Sequence, residues 1–388
     1  MIHVFIVGSK GIPARYGGFE TFAENLTAGK ISPAIMYHVS CMNNDEKHFE
    51  HNGADCFNVR VPLPGAPGRI FHVGLVLNQV EAWARQHTGE QVIVYILGCR
   101  IGPLLIPHAG KLHKLGVRIC CNPDGLEWKR SKWSAPAKAF LRFCEKCLVE
   151  NSDLVICDSI NIEKYIQKSY GHRVKATTYI AYGAHVEKST CSEEKLQAWY
   201  AEHGLQKDGY YLIVGRFVPE NNYETMITEF MRSNTKRDCV IITNVEKNKF
   251  YTELAEKTGF EKDPRIKFVG TVYDQQLLKK IREEAHAYIH GHEVGGTNPS
   301  LLEAMASTKL NLLLDVGFNK EVAQTGALYW TKRPGSLSTL LSRADCLGLH
   351  EIEQYDWISR QRVQESYSWA KICEVYEEIF FKESTRVG

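Results

Sequence analysis

Residues 2–7 (Ile-His-Val-Phe-Ile-Val) are a short apolar run that leads into Gly8-Ser9-Lys10-Gly11-Ile12-Pro13-Ala14-Arg15-Tyr16-Gly17-Gly18. Apolar side chains then recur at the spacing of one helix face, at positions 19, 22, 23 and 26. A buried strand, a tight turn and an amphipathic helix in this order predict the first βα unit of an α/β fold. No basic segment precedes the apolar run, so we interpret it as a core strand and not as a signal peptide.

Further short apolar runs alternate with amphipathic stretches along the whole chain. Six lie at residues 3–7, 36–41, 91–97, 117–121, 154–157 and 177–181, and six more at 210–214, 239–243, 266–269, 287–290, 310–314 and 328–330. Continuous apolar runs between helices are typical of parallel strands buried on both faces. The two series predict an α/β protein with two doubly wound, Rossmann-like domains, residues 1–183 and 184–368. We expect a last helix, at about 369–388, to pack back on the first domain.

The composition excludes several classes of protein. Among 388 residues, 47 Lys and Arg nearly balance 45 Asp and Glu, so general nucleic-acid binding is not indicated. No run approaches the roughly 18–20 apolar residues of a membrane-spanning helix. The 12 cysteines are scattered, and Cys144-x-x-Cys147 has no second pair at zinc spacing. We therefore expect reduced thiols and no metal site.

Three polar residues of the first half directly follow predicted strands: Asp124, Asp158 and Tyr182. Ligands of open parallel sheets bind beyond the carboxyl ends of strands, so these three are candidate catalytic or acceptor-positioning residues. Asp124 can equally belong to a plain turn, because Pro-Asp-Gly favours turns. Asp158 can equally be a helix N-cap.

Residues 126–146 combine Trp128 and Trp133 with six Lys or Arg and two Glu, a local charge of +4. Basic side chains interleaved with Trp suit an anionic membrane surface or a lipid phosphate. The alternatives are a solvated helix face or a nucleic-acid patch, for which no motif is present.

Two helix starts are suited to an anion. One follows Gly17-Gly18, although the spacing matches neither the dinucleotide fingerprint nor the P-loop, and the alternative is a structural turn. The other follows Asn298, a good N-cap, and Pro299, a good first helical residue. Arg216, directly after the run 210–214, can hold a phosphate. Together they predict one diphosphate ligand bound between the two domains.

The chain resembles glycosyltransferase family 4, whose members have the GT-B fold of two Rossmann-like domains that face a cleft. The resemblance covers nearly the whole chain and rests on five strings: Gly17-Gly18-Phe19-Glu20, Gly215-Arg216-Phe217-Val218-Pro219-Glu220, Phe268-Val269-Gly270, Pro299-Ser300-Leu301-Leu302-Glu303-Ala304-Met305 and Tyr367-Ser368-Trp369. Three strings are similar to a bacterial subgroup that includes rhamnosyltransferases of capsule and cell-wall polysaccharide synthesis: residues 11–20, 124–130 and 295–300.

The resemblance implies a retaining transferase that moves a sugar, most specifically L-rhamnose from dTDP-rhamnose, to a lipid-diphosphate-linked sugar. Combined with the basic segment 126–146, this acceptor predicts a cytoplasmic, peripheral position at the inner face of a bacterial plasma membrane. We expect no metal or other cofactor and no nucleic acid as partner. Asp124, Asp158 and Tyr182 would act on the acceptor. The acceptor or membrane would be met by Arg15, Lys129, Arg130, Lys132 and Trp133. The donor would be bound by Gly17, Gly18, Arg216, Asn221, Lys249, Glu293, Thr297, Asn298, Ser300, Leu301 and Glu303.

Two positions depart from the family pattern. Gly295 stands where the family has a glutamate that meets the donor sugar, and Asn221 stands where it has a lysine. The contact with the donor sugar would then come from Glu293, Thr297 or Asn298. Lys247 or Lys249 would assist Arg216 in binding the diphosphate. These changes are compatible with a deoxysugar donor. Other hypotheses are a UDP-hexose or UDP-N-acetylhexosamine donor, and a non-catalytic sugar-nucleotide-binding protein. A nicotinamide-dependent oxidoreductase is a further alternative, but this sequence lacks the G-x-G-x-x-G motif that such an enzyme needs.

Overall fold

The computed structural model describes residues 1–14, 17–43, 45, 47–61, 65–130, 133–245 and 248–386. The contacts between them divide the chain into two units. Unit 1 is Met1–Gly183 with Trp369–Gly388, and unit 2 is Ala184–Ser368.

The main part of unit 1 is a parallel sheet with one antiparallel edge strand. Its strands are β1 (Ile2–Val7), β2 (Ile35–Met42), β3 (His48–His51), β4 (Ala54–Val59), β5 (Gln91–Leu97), β6 (Arg118–Asn122), β7 (Leu154–Cys157) and β8 (Thr177–Tyr179). Its helices are α1 (Gly18–Ala28), α2 (Gly65–Gln86), α3 (Gly102–Lys114), α4 (Ala135–Asn151) and α5 (Ile160–Tyr170). The strand order is β3-β4-β2-β1-β5-β6-β7-β8, so the winding direction reverses between β1 and β5.

Unit 2 has a six-stranded sheet in which every neighbouring pair is parallel. Its strands are β9 (Tyr210–Val214), β10 (Asp238–Ile242), β11 (Ile266–Phe268), β12 (Ala287–His290), β13 (Asn311–Leu314) and β14 (Leu328–Trp330). Its helices are α6 (Glu193–His203), α7 (Tyr223–Arg232), α8 (Lys249–Thr258), α9 (Gln275–Glu283), α10 (Pro299–Ser307), α11 (Gly317–Ala323), α12 (Ser336–Asp345) and α13 (Leu349–Ser366). The order β11-β10-β9-β12-β13-β14 reverses between β9 and β12.

The predicted α/β class with two doubly wound sheets is confirmed in each unit. Alternate residues of a strand enter opposite layers, as the pleat requires. In β9, Tyr211 and Ile213 pack in the layer that contains α7, whereas Tyr210 and Leu212 pack in the layer that contains α6 and α9. The sequence predicted neither β3 nor β4, which form the antiparallel pair at the sheet edge. Strand β3 is short and exposed, and in β4 the polar Asp55 and Asn58 interrupt the apolar residues.

The last helix, α14 (Trp369–Ser384), packs on the sheet of unit 1. Tyr376 and Phe380 are buried, and the Tyr376 hydroxyl lies 2.9 Å from that of Tyr95 in β5. The Glu377 carboxylate accepts hydrogen bonds from the backbone N–H groups of Ile31 and Ser32, at 2.7 and 2.8 Å. Aromatic packing and a satisfied buried carboxylate therefore join the end of the chain to its beginning.

Two further sequence-based expectations concern the cysteine thiols and membrane-spanning helices. All twelve cysteines are free thiols, and ten of them are buried. Within the described ranges, no helix has the length and apolarity that crossing a membrane requires.

Replacing Phe380 by Ala removes a fully buried ring that packs against Tyr37 and Tyr95. We expect unit 1 to lose about 3–5 kcal/mol in free energy of unfolding. Amide hydrogen exchange in β1 and β5 should then rise by about a hundredfold or more. Mass spectrometry of peptic peptides measures the amide exchange of unit 1 and of unit 2 separately. The control is Phe381→Ala, because the neighbouring Phe381 is 39% exposed, and it should change exchange less than about threefold. Unchanged exchange in Phe380→Ala would contradict a stabilising role of α14.

Candidate functional site

The reversal point of the unit 2 sheet brings two predicted site segments together. Val214 ends β9, and its carbonyl oxygen accepts hydrogen bonds from the hydroxyls of Tyr288 in β12 (3.0 Å) and Ser300 in α10 (3.1 Å). Arg216 follows two residues after Val214, and its side chain is exposed. The structure thus places the segment of Arg216 beside the first turn of α10, at the sheet edge where ligands of doubly wound folds bind.

Asn298 caps α10 with its side chain, as the sequence predicted. Its Oδ1 accepts from the N–H groups of Ser300 (2.9 Å) and Leu301 (3.4 Å), and Pro299 is the first helical residue. These two N–H groups are therefore already bonded to the cap, so the helix start that the sequence predicted to suit an anion cannot offer them to a ligand. What the helix start retains for an anion is its dipole. The Leu301 side chain is buried.

Glu303 lies one turn into α10 and is held by a buried arginine. Its Oε2 is 2.6 Å from a terminal nitrogen of Arg282 in α9. The Arg282 side chain is 4% exposed and that of Glu303 is 38% exposed. A buried guanidinium thus orients a half-exposed carboxylate, an arrangement that suits the acceptance of ligand hydroxyl groups.

Asn221 has an internal role. Its Nδ2 donates to the carbonyl oxygen of Arg216 (2.8 Å), and its Oδ1 lies 2.7 Å from Nδ1 of His292. Its side chain therefore fixes the backbone of Arg216. The predicted helper Lys249 is exposed at the start of α8, 3.4 Å from Glu253, and Lys247 lies outside the described residues.

Of the three residues proposed to replace the family's glutamate, two are engaged elsewhere. Glu293 forms an ion pair with Lys332 and accepts from Asn222 Nδ2 (3.2 Å). Burial alone would raise the pKa of Glu293, but these partners outweigh it and lower that pKa. Asn298 is the N-cap described above, and the third, Thr297, is buried. The sequence missed His292, which lies within this loop and contacts Asn221.

The loop that precedes α1 in unit 1 is hydrogen-bonded to acidic residues of that helix. Gly17, at φ +129°, leaves room for the Glu20 carboxylate, which a Cβ there would meet at 1.9 Å. Glu20 accepts from the backbone N–H of Lys10, and Glu24 from that of Ala14, each at 2.8 Å. Two carboxylates beside the loop make it less attractive to an anion than its glycine content predicted. Arg15 lies outside the described residues.

Asp124, Asp158 and Tyr182 follow three neighbouring strands, β6, β7 and β8, at the same sheet edge. The Asp124 carboxylate accepts from Gly125 N–H (2.7 Å) in a turn and is 28% exposed. Asp158 is buried, and it is not the N-cap of α5, because Ser159 caps that helix. Burial, followed by the charges of Asp158 and Asp124, raises the pKa of Tyr182 well above its ordinary value. These surroundings therefore disfavour deprotonation of the Tyr182 hydroxyl.

Two members of the predicted basic surface are turned inward. The buried Glu127 receives hydrogen bonds from Arg100 (2.7 Å) and from the indole of Trp133 (3.1 Å). Its other oxygen is 2.7 Å from Nε of Arg130. Arg130 and Trp133 are thus bound to the protein's own carboxylate, whereas Lys129 is exposed beside the Trp128 ring. Lys132 lies outside the described residues.

The second half of the predicted segment, in α4, presents an apolar and basic surface that neighbouring helices extend. Phe140 and Phe143 of α4 are each about half exposed, and Arg142 and Lys146 of the same helix are exposed. Helix α3 contacts both α2 and α4. Helices α2 and α3 add further exposed apolar side chains, Phe71 and Leu75 from α2 and Ile106 from α3. The sequence did not single out the last three, because each belongs to an ordinary amphipathic helix pattern.

In the described part of the chain, no cluster of three or more His, Cys, Asp or Glu side chains is arranged to hold a metal ion.

Two family models match the sequence. Residues 1–185 match "Domain of unknown function (DUF1972)", and residues 197–344 match "Glycosyl transferases group 1". No curated protein sequence matches the chain.

Solved structures match the fold over nearly all of the chain. Sucrose-phosphate synthase from Thermosynechococcus elongatus is 16% identical with a TM-score of 0.74, and 98% of each chain is covered. An α,α-trehalose-phosphate synthase (UDP-forming) from Burkholderia xenovorans, in complex with glucose-6-phosphate, is 12% identical with a TM-score of 0.70, covering 98% of this chain and 99% of that one. HepE from Anabaena, in complex with UDP and glucose, is 14% identical with a TM-score of 0.70, covering 98% and 100%.

The two doubly wound sheets agree with the fold of these structures. The match of residues 197–344 to the glycosyl transferases group 1 family indicates that the chain is a transferase. Residues 197–344 thus form a glycosyl transferases group 1 domain, and the chain is a glycosyltransferase of the GT-B type.

Proposed function

We propose that this glycosyltransferase moves L-rhamnose from dTDP-rhamnose, with retention of configuration, to a lipid-diphosphate-linked sugar in bacterial surface polysaccharide synthesis. One observation carries the donor site: Ser300 bonds to Val214, which sets the segment of Arg216 beside the start of α10, with Glu303 one turn further on. An exposed guanidinium at the positive end of a helix dipole suits a diphosphate. The oriented carboxylate of Glu303 suits the hydroxyls of a ribose or deoxyribose.

In the proposed reaction, the bond between the sugar and the donor diphosphate breaks, and a bond to an acceptor hydroxyl forms on the same face of the sugar. Negative charge develops on the departing diphosphate, and Arg216 with the α10 dipole stabilises it in place of a metal ion. Asp124, with its partly exposed carboxylate, is our proposal for the residue that orients or deprotonates the acceptor hydroxyl.

A UDP-sugar donor is the second candidate. The observation that favours it is that similar structures were solved with UDP and glucose, or are described as UDP-forming. Gly295 and Asn221, where the family has Glu and Lys, favour the deoxysugar donor instead.

We also propose that α2, α3 and α4 of unit 1 bind an anionic membrane surface at the inner face of the bacterial plasma membrane, where a lipid-linked acceptor is presented. Half-exposed Phe140 and Phe143 can enter the interface while Arg142 and Lys146 meet lipid phosphates. Lys129 belongs to this proposed surface. Arg130 and Trp133 do not, because they bind Glu127.

Arg216→Ala should reduce kcat/KM by about a hundredfold, since a fixed charge on the leaving diphosphate is lost. The fold should survive, because the side chain is exposed. Product mass from dTDP-rhamnose or UDP-glucose with a lipid-diphosphate sugar measures the activity. Lys236→Ala is the control, as Lys236 is exposed before β10, at the opposite sheet edge. Wild-type turnover in Arg216→Ala would rule out this donor site.

Turnover should persist in excess EDTA, because the proposal assigns the diphosphate charge to Arg216 and a helix dipole. The same product assay, run with EDTA and then with added magnesium, measures this. A complete loss of activity that magnesium restores would mean that a metal ion carries the charge.

The pair Arg142→Glu and Lys146→Glu should weaken binding to vesicles of phosphatidylcholine and phosphatidylglycerol by at least about 30-fold, at roughly 1 kcal/mol per basic residue removed. Added salt should weaken wild-type binding. Vesicle co-sedimentation measures both effects. The control pair, Lys236→Glu and Lys262→Glu, makes the same charge change at exposed positions of unit 2 and should bind as the wild type does. Equal binding by all three proteins would contradict the membrane surface.

A further inference from the structure

Arg282 of α9 is a buried cation with a single counter-ion. Within the described part of the chain, Glu303 of α10 is its only ion-pair partner, at 2.6 Å. Its Nε is also buried and has no hydrogen-bond partner among these residues. The guanidinium has therefore left water for one half-exposed carboxylate, and one of its donors is unsatisfied.

Stability alone does not explain this ion pair. Removing a charge from water is costly, and apolar side chains in place of a buried ion pair often leave a protein equally or more stable. An unsatisfied buried donor adds to the cost. The surroundings would accept an apolar side chain, because Leu278, one turn before Arg282 in α9, and Ala304, next to Glu303 in α10, are buried in the apolar core of this layer.

The ion pair is also not needed to hold α10 in place. Asn298 caps the first turn of the helix. At the other end, Arg360 of α13 donates to the carbonyl oxygen of Ser307 (2.7 Å), and the Ser359 hydroxyl donates to that of Met305 (3.2 Å). Since other residues bind both ends of α10, what the ion pair adds is the orientation of its carboxylate.

The Glu303 carboxylate lies on the face of α10 that meets the end of β9. Glu303 is three residues after Ser300, on the same helix face, and the Ser300 hydroxyl donates to Val214 (3.1 Å). Both charges of the ion pair also act on the Tyr288 hydroxyl at this junction. Burial raises the pKa of Tyr288 to about 12, while the Arg282 charge lowers this pKa and the Glu303 charge raises it. The ion pair therefore lies at the edge of the sheet where we place the donor.

We propose that Arg282 is a positioning residue, which holds the Glu303 carboxylate in the orientation that accepts from the hydroxyls of the donor's ribose or deoxyribose, at a cost in the stability of unit 2. This inference rests on the proposed function, because it requires a nucleotide in unit 2. A carboxylate that is already held does not have to be ordered when the ligand binds. The buried charge is then explained by binding and not by folding.

Arg282→Met tests the inference, because it removes the charge and leaves a long apolar side chain. Calorimetry should compare UDP and dTDP with dideoxy-UDP and deoxy-dTDP, the analogues whose sugar rings carry no free hydroxyl group. We expect the variant to hold the nucleotide that the wild type binds about 10-fold more weakly, as for one misplaced hydrogen bond to a charged group. The matching analogue should bind equally to both proteins. The control is Arg360→Met, which removes another cation that holds α10 and should affect nucleotide and analogue to the same extent.

A second experiment measures the effect of the ion pair on stability. Glu303→Leu leaves the buried guanidinium unpaired, so amide hydrogen exchange in β9 and β12 should rise by about 30-fold or more. Combining it with Arg282→Met removes both charges. We expect this double variant to exchange at the wild-type rate or more slowly, and to bind the nucleotide no better than the analogue.

Several results would overturn the inference and leave the proposed function standing. An equal loss for nucleotide and analogue in Arg282→Met would mean that Arg282 only supports the fold, and unchanged binding of both would mean that it does not position Glu303. Failure of Arg282→Met to fold, or fast exchange in the double variant, would mean that the ion pair serves stability. Equal binding of nucleotide and analogue by the wild type would refute the contact of Glu303 with the ring hydroxyls. Failure of the wild type to bind either nucleotide would overturn the proposed function, and the inference with it.

Discussion

The carbonyl oxygen of Val214 accepts hydrogen bonds from two hydroxyls, those of Tyr288 and Ser300, and the candidate site of unit 2 depends on this junction. It joins the end of β9, the neighbouring strand β12 and the first turn of α10. A strand-end carbonyl has no further ladder partner, so such bonds satisfy it and also fix the helix. Arg216 follows at once, and its own carbonyl is held by Asn221. The reversal of strand order between β9 and β12 determines where the candidate site lies, and these hydrogen bonds determine how its segments are oriented.

Unit 1 shows why a count of basic residues is a poor guide to a basic surface. A buried carboxylate is costly unless several donors satisfy it. Glu127 is satisfied by Arg100, Arg130 and Trp133, so part of the positive charge counted in residues 126–146 neutralises an interior group. Glu145 is buried nearby, where it accepts from the hydroxyls of Tyr165 and Tyr170, each at 2.6 Å, and burial raises its pKa. The charge left for a partner lies on the exposed face of α4.

Neutral amides support the candidate site of unit 2. Asn221, Asn222 and Asn319 hold the loop around His292, and Asn298 caps α10. An amide both donates and accepts, so it can join a carbonyl to an imidazole, as Asn221 does. A lysine at position 221 could donate to the carbonyl but could not accept from Nδ1 of His292. The asparagine at position 221 therefore suits both of its neighbours, the carbonyl oxygen of Arg216 and the imidazole of His292.

The sequence by itself determined the α/β class, the two winding series, the last helix and the cap at Asn298. Strands buried on both faces leave uninterrupted apolar runs, and caps and amphipathic faces depend on residues a few positions apart. It failed where an element leaves no such local signal, as at the exposed edge strand β3. Only the tertiary structure decided that Arg130 faces Glu127, that Arg282 holds Glu303, and that Asn221 and Gly295 meet at His292. The last two depend on sheet order and helix packing, which bring together side chains that are distant along the chain, and the first depends on the burial of Glu127, which no local pattern reveals.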